Sequence, residues 1–171
     1  MRRAVRWIEA LTEGVGGVAA LLVIPLVLAT CWEVFSRYVL GAPTIWGFEL
    51  GYTLMGMHFL LGGAITLKRQ AHVRIDLIYA RLSPAGRAWI DLILYVCFVL
   101  PAIALLCERF WEYTTAAYAG GERSGMSSWN PPVWPFRTVI LLSFALLGLQ
   151  VLAECLKCIR AIRGHALYPK V

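Results

Sequence analysis

Four stretches of this chain are each long and apolar enough to cross a bilayer, and no other feature constrains its fold as tightly. A helix needs about 20 apolar residues to span a hydrocarbon core of about 30 Å. The stretches run from about Gly14 to Ser36, Trp46 to Leu67, Ala88 to Cys107 and Val133 to Leu156. Inside hydrocarbon a backbone can satisfy its N–H and C=O groups only within the segment, so each stretch reads as a helix. Composition agrees: 60% of the 171 residues are apolar and 15% charged, where soluble chains average about half and about a quarter. The connections are too short for a soluble domain. The expectation is an all-α integral membrane protein, one membrane domain over residues 1–171.

The net charge of +6 could suggest nucleic acid, but its placement says otherwise. Arg2, Arg3 and Arg6 precede the first span. Lys68, Arg69, Arg74, Arg81 and Arg87 lie between the second and third, and Lys157, Arg160, Arg163 and Lys170 follow the fourth. The other two connections hold only Arg37, Arg109 and Arg123, with Arg137 at the entry to the last span. This alternation is what the positive-inside rule predicts for two cytoplasmic termini. The basic excess therefore reads as orientation and contact with lipid headgroups. Trp32, Tyr38, Trp46, Trp89, Trp111, Trp129 and Trp134 fall near span boundaries, as an aromatic belt would. The first span is expected to be retained, because Pro25 interrupts the apolar run and Thr30 is large for the residue before a processed Cys31.

Along the chain, residues 1–13 read as a short interfacial amphipathic helix with Ala4, Trp7, Ile8 and Leu11 on its apolar face. A turn is expected at Gly14, Gly16 and Gly17, and Gly16, Gly17, Ala19 and Ala20 leave a surface that another helix could approach. Glu33 and Arg37 form an i, i+4 pair, and Gly41-Ala42-Pro43-Thr44 reverses the chain. Thr44 can cap the second span, with Glu49 near the positive end of that helix. Glu49 is also a candidate partner for Arg37 across the turn, in competition with Glu33. The segment from Lys68 to Leu77 reads as interfacial with short helical pieces. Ser83-Pro84 starts the third span, Pro101 bends it, Gly120-Gly121 ends it, and residues 157–171 form a tail.

Chemistry is mostly absent. Cys155-x-x-Cys158 has redox or zinc spacing, which makes a four-helix membrane thiol-disulfide oxidoreductase a competing reading. Yet the pair falls at the basic cytoplasmic end and has no second cysteine pair across the membrane, so small buried thiols are the plainer account. Haem would need paired histidines within spans, and His58 stands alone there, better suited to bonding at a helix contact. No cofactor or metal site is expected. A free-standing transporter or small multidrug-type exporter would place ionisable groups near the bilayer middle. Here they keep to the span ends, with Glu49 the carboxylate an exporter would need to embed. The chain looks built to accompany something rather than to conduct.

Arg37, Trp46-x-x-Glu49, Leu61-Gly62-Gly63-Ala64, Lys68-Arg69 and His72-Val73-Arg74-Ile75-Asp76 follow one another in order. That ordered set resembles the small membrane subunit of tripartite ATP-independent periplasmic (TRAP) transporters, the DctQ-like family. Ser128-Trp129-Asn130-Pro131-Pro132-Val133-Trp134-Pro135 resembles the entry to that family's last span. The resemblance implies a non-enzymatic scaffold subunit in the bacterial inner membrane. Its implied partners are a large multispanning permease that moves an organic acid with sodium, and a periplasmic solute-binding protein. Arg37, Trp46, Glu49, Gly62, Gly63, His72 and Asp76 are then candidates for structural or subunit contacts. A His72–Asp76 pair would steady the cytoplasmic segment.

Overall fold

The computed structural model describes residues 2–71 and 82–163. Apolar runs without strand-like alternation fold into six α-helices among these residues: α1 (Arg2–Leu21), α2 (Val23–Tyr38), α3 (Gly47–Lys68), α4 (Pro84–Leu94), α5 (Leu100–Ala119) and α6 (Trp134–Ile162). They combine into four rods long and apolar enough to cross a membrane.

The first rod departs from the expected layout. The chain does not turn at Gly14, Gly16 or Gly17; α1 runs straight through them. Gly16 has a packing reason to lack a side chain, since a Cβ there would meet Ile65 Cδ1 at 2.6 Å. The irregularity comes instead at Leu22, whose N–H is shared between the Val18 and Ala19 carbonyls at 3.2 Å each. Pro25, one turn on, has no N–H to offer the Leu21 carbonyl, and that loosens the junction of α1 and α2. Of the small residues expected to admit another helix, Gly16 and Ala19 face the bundle and Gly17 and Ala20 do not. Thr12, Gly16 and Ala19 point into the bundle, while Trp7 and Leu11 are exposed.

The third rod joins α4 to α5 through a π-helical turn, Tyr95–Val99, just ahead of Pro101. A wide turn at that point accommodates the carbonyl that the proline cannot bond. Ser83 Oγ caps α4 by accepting the Gly86 N–H at 3.2 Å, with Pro84 in the first turn, as expected. Gly121, at φ 59°, ends α5: the next N–H, of Glu122, returns to the Ala117 carbonyl at 3.0 Å.

α6 is the axis of the bundle and packs against α1, α3, α4 and α5, while α2 leans on α3. Its most apolar stretch is 39% buried, against 11–17% for the other rods. Most of what is buried is small or polar, such as Ala19, Ala64, Ala88, Ala117 and Ala153 with Thr12, Ser143 and Gln150, beside a small cluster of Leu67, Ile103, Val151 and Cys155. Large apolar side chains such as Leu28, Phe48, Met55, Phe59 and Phe98 face outward. That inverts a water-soluble core and suits rods that meet one another closely and face hydrocarbon.

The two ends of the bundle differ. One, the hairpin end, carries the connections 39–46 and 120–133. The other, the terminal end, brings the start of α1 and the finish of α6 together, with Glu9 2.5 Å from Lys157.

Candidate functional site

At the terminal end a single carboxylate organises three rods. Glu154 Oε1 accepts from Gln150 Nε2 and from Lys157 Nζ, both at 2.8 Å, and Oε2 accepts from Gln70 Nε2 at 3.2 Å. Gln150 Oε1 takes the Thr12 hydroxyl at 3.0 Å, and Lys157 also pairs with Glu9. Lys68 donates to Glu13 at 2.6 Å and to the Glu9 carbonyl at 3.2 Å. α1, the exit of α3 and α6 are thereby cross-linked. Gln150 and Glu154 are 0% and 4% exposed. At such depth a lone polar group would be costly, and among the described residues no buried side-chain polar atom lacks a partner. Gln70 holds φ 54°, a left-handed conformation unusual for a residue with a side chain. Its amide reaching Glu154 helps to hold it there.

The hairpin end is tied locally. Glu33 pairs with Arg37 one helical turn on and also binds the Thr44 hydroxyl and, at 2.9 Å, the Thr44 N–H. Thr44 Oγ1 in turn accepts the Gly47 N–H at 3.2 Å, the expected cap on α3. Ser36 closes the same turn on the Ala42 carbonyl, with Gly41 at φ 65°. Arg37 therefore binds Glu33 and not Glu49: the i, i+4 partner sits on the same helix face, whereas Glu49 has turned into the bundle. Glu49 is 2% exposed and its Oε1 accepts the Ser124 hydroxyl at 2.8 Å. It makes no ion pair among the described residues. It lines a cavity of about 490 Å³ between the first turns of α3 and α6, the 122–132 connection and Phe110 of α5. Arg137, at the start of α6, grips Glu122 through two 2.7 Å bonds and lies over the Tyr113 ring at 5.9 Å, which pins that connection to the bundle.

The remaining sequence candidates sort as follows. Trp46 directly precedes α3 and is half-buried. Gly62 and Gly63 do not meet a close neighbour; they line a lateral groove of about 900 Å³ with His58 and Gly17. The glycines that permit tight contact include Gly16, against Ile65, Gly47, against Thr44 and Glu33, and Gly56, whose Cβ would lie 2.8 Å from Phe136. His58 Nδ1 donates to the Ala19 carbonyl at 2.8 Å, which joins α3 to α1 as a helix-contact histidine should. His72 and Asp76 lie outside the described residues. Cys155 and Cys158 are buried, Cys155 packed with Leu67, Ile103 and Val151, so neither is placed for exchange with an outside disulfide.

Ser124, Gln150 and the hub role of Glu154 escaped a reading that followed charge alone. A signal was present, since Ser143, Gln150, Glu154 and Cys158 repeat on one face of an apolar helix. Acidic, basic and amide groups here satisfy one another across helices, and the described residues hold no group of three or more His, Cys, Asp or Glu able to grip a metal. The arrangement braces a bundle.

Comparison with known proteins agrees. Residues 26–161 match the family model described as tripartite ATP-independent periplasmic transporters, DctQ component. The chain is similar to the sialic acid TRAP transporter small permease protein SiaQ of Vibrio cholerae, 25% identical over 125 residues, 71% of this chain and 72% of that one. It is also similar to the sialic acid TRAP transporter permease protein SiaT of Haemophilus influenzae, 27% identical over 99 residues, 56% of this chain but only 16% of that one.

Proposed function

The chain belongs to the DctQ component family of TRAP transporters, a multi-pass membrane family of permease components and not of enzymes, and from that premise we propose that it is the scaffold subunit of a sodium-coupled uptake system for an organic acid. In this reading a larger permease moves substrate and sodium, and a periplasmic binding protein delivers the substrate. Both termini face the cytoplasm, the side with the basic connections. One observation carries the reading. The buried carboxylates of α6 and α3 sit at opposite ends of the bundle, one in a polar lock and one beside a cavity, with no carboxylate, lysine or arginine between them on either helix. A path for an organic anion would need polar groups at the middle.

The Haemophilus relative supports the partnership with a larger chain. Its shared stretch is about a sixth of a protein whose printed name is permease, so a region like this one occurs joined to a far longer membrane transporter. Both relatives are named for sialic acid, a carboxylic acid, which supports the substrate class but not the compound. The residues that choose it lie on other chains in this reading. The test is co-purification: affinity-tagged chain should bring down a much larger multispanning permease in detergent. Recovery of the chain alone, from cells that express both, would contradict the proposal.

A further inference from the structure

Among the described residues, Glu49 is a buried carboxylate without a counter-charge. Its sequence-suggested partner, Arg37, is committed to Glu33. Arg137, which shares the cavity wall, is held by Glu122 and the Tyr113 carbonyl. The single bond to Glu49 comes from the neutral Ser124 hydroxyl at 2.8 Å. Most carboxylates removed from water are paired, because an isolated charge there is strongly disfavoured. The carboxylate borders a cavity of about 490 Å³ whose walls include Tyr52, Phe110, Trp129 and Phe136. Aromatic faces over a carboxylate suit a guanidinium or ammonium group, which gains from ring and charge together. A bare divalent ion fits poorly, since hard cations need about six oxygen ligands. At the rim, Arg123 is exposed and its Nη1 bonds only the Asn130 carbonyl, at 2.9 Å, leaving its charge without an acidic partner among the described residues.

We propose that Glu49 is the receptor for an arginine or lysine side chain of the soluble binding protein, which enters this cavity while an acidic neighbour on the same protein meets Arg123. The inference rests on the scaffold reading above, with the hairpin end facing the periplasm. Position selects the soluble partner over the permease. The cavity lies at the end of the bundle with the 122–132 connection in its wall, whereas a membrane partner would approach the bundle's apolar flanks. The rod of α4 and α5 covers 35 residues, roughly 50 Å at about 1.5 Å per residue. That exceeds a core of about 30 Å and leaves the end of α5 standing beside the cavity in water.

The experiment uses the full complex of this chain with its permease in lipid nanodiscs and measures binding of the soluble protein. Glu49→Gln keeps the shape and the Ser124 bond but removes the charge. It is expected to weaken binding at least about tenfold and to flatten its salt dependence, with permease co-purification unchanged. Arg123→Glu, on an exposed connection, is expected to weaken binding about threefold or more through the rim. Wild-type affinity in both variants overturns the proposal. Loss of the permease in Glu49→Gln also overturns it, because the carboxylate would then serve the membrane interface. If the wild-type chain itself fails to bring down a permease, the scaffold reading fails instead, and that result is distinct from the other two.

Discussion

At the terminal end, five side chains from three rods converge on one carboxylate, Glu154, directly or through one intermediate: Gln150, Lys157, Gln70, Thr12 and Glu9. At the hairpin end, by contrast, each polar tie spans one connection: Glu33 to Thr44, Ser36 to Ala42, Arg137 to Glu122. Among the described residues, Glu49 alone at this end reaches from a helix to a distant connection, and it does so through one hydroxyl. The difference teaches a division of labour. A network shared among rods fixes how they stand relative to one another, while local ties shape two turns and leave room between them for something else. The locked end is the one where this chain holds itself together; the open end is the one where it has chemistry to spare.

The sharpest way to break that comparison is Glu154→Ala. It strips Lys157 of one partner and leaves Gln150 and Gln70 unsatisfied within the bundle. A loss of about 3–5 kcal/mol is expected, read as a large fall in melting temperature in detergent. A fall no greater than that of an average surface substitution would show that the lock is ornamental. Gln150→Leu should come next, at about 1–3 kcal/mol, because it removes the bridge between Thr12 and Glu154 while keeping volume. Replacing Cys155 and Cys158 together by Ala sharpens the contrast within α6 itself. These residues share the buried stretch but carry small thiol side chains, so about 1 kcal/mol each, with unchanged uptake by the assembled transporter, is expected. Abolished uptake in a stable variant would bring thiol chemistry back. Glu33→Ala should shift melting least, since its pair with Arg37 is half in solvent. Its expected signature is instead greater protease sensitivity of residues 39–46.

Much of this was legible in the sequence for identifiable reasons. Long apolar runs leave no alternative to helices, so four rods followed directly from composition. Local cap chemistry carried Ser83-Pro84, Thr44 and Gly120-Gly121, because each acts within a turn of its own position. The i, i+4 geometry carried Glu33 with Arg37, and a lone intramembrane histidine carried the His58 helix contact. What failed was anything set by distance along the chain. On α1 the small residues Gly16 and Ala19 were legible as a contact surface, but Thr12, whose partner Gln150 lies 138 residues away, was not. In a membrane bundle, close approach selects Gly16 and Ala19, and shared hydrogen bonds select Thr12. The glycines at 14–17 read as a turn because glycine often marks one, yet Pro25 was the residue that broke the helix. The sequence offers Glu49 to Arg37 in competition with Glu33, whereas the neighbour it binds, Ser124, lies 75 residues away. Such pairings depend on how rods pack, and one sequence does not encode that in any short window.

The central claim is that this chain braces a transporter and does not itself provide the path. Uptake into proteoliposomes tests it most directly, with a labelled organic acid, its soluble binding protein and an inward sodium gradient. This chain reconstituted alone is predicted to give no uptake above protein-free liposomes, and the same chain with its large permease should give sodium-dependent uptake. Sodium-dependent accumulation by this chain alone would contradict the account.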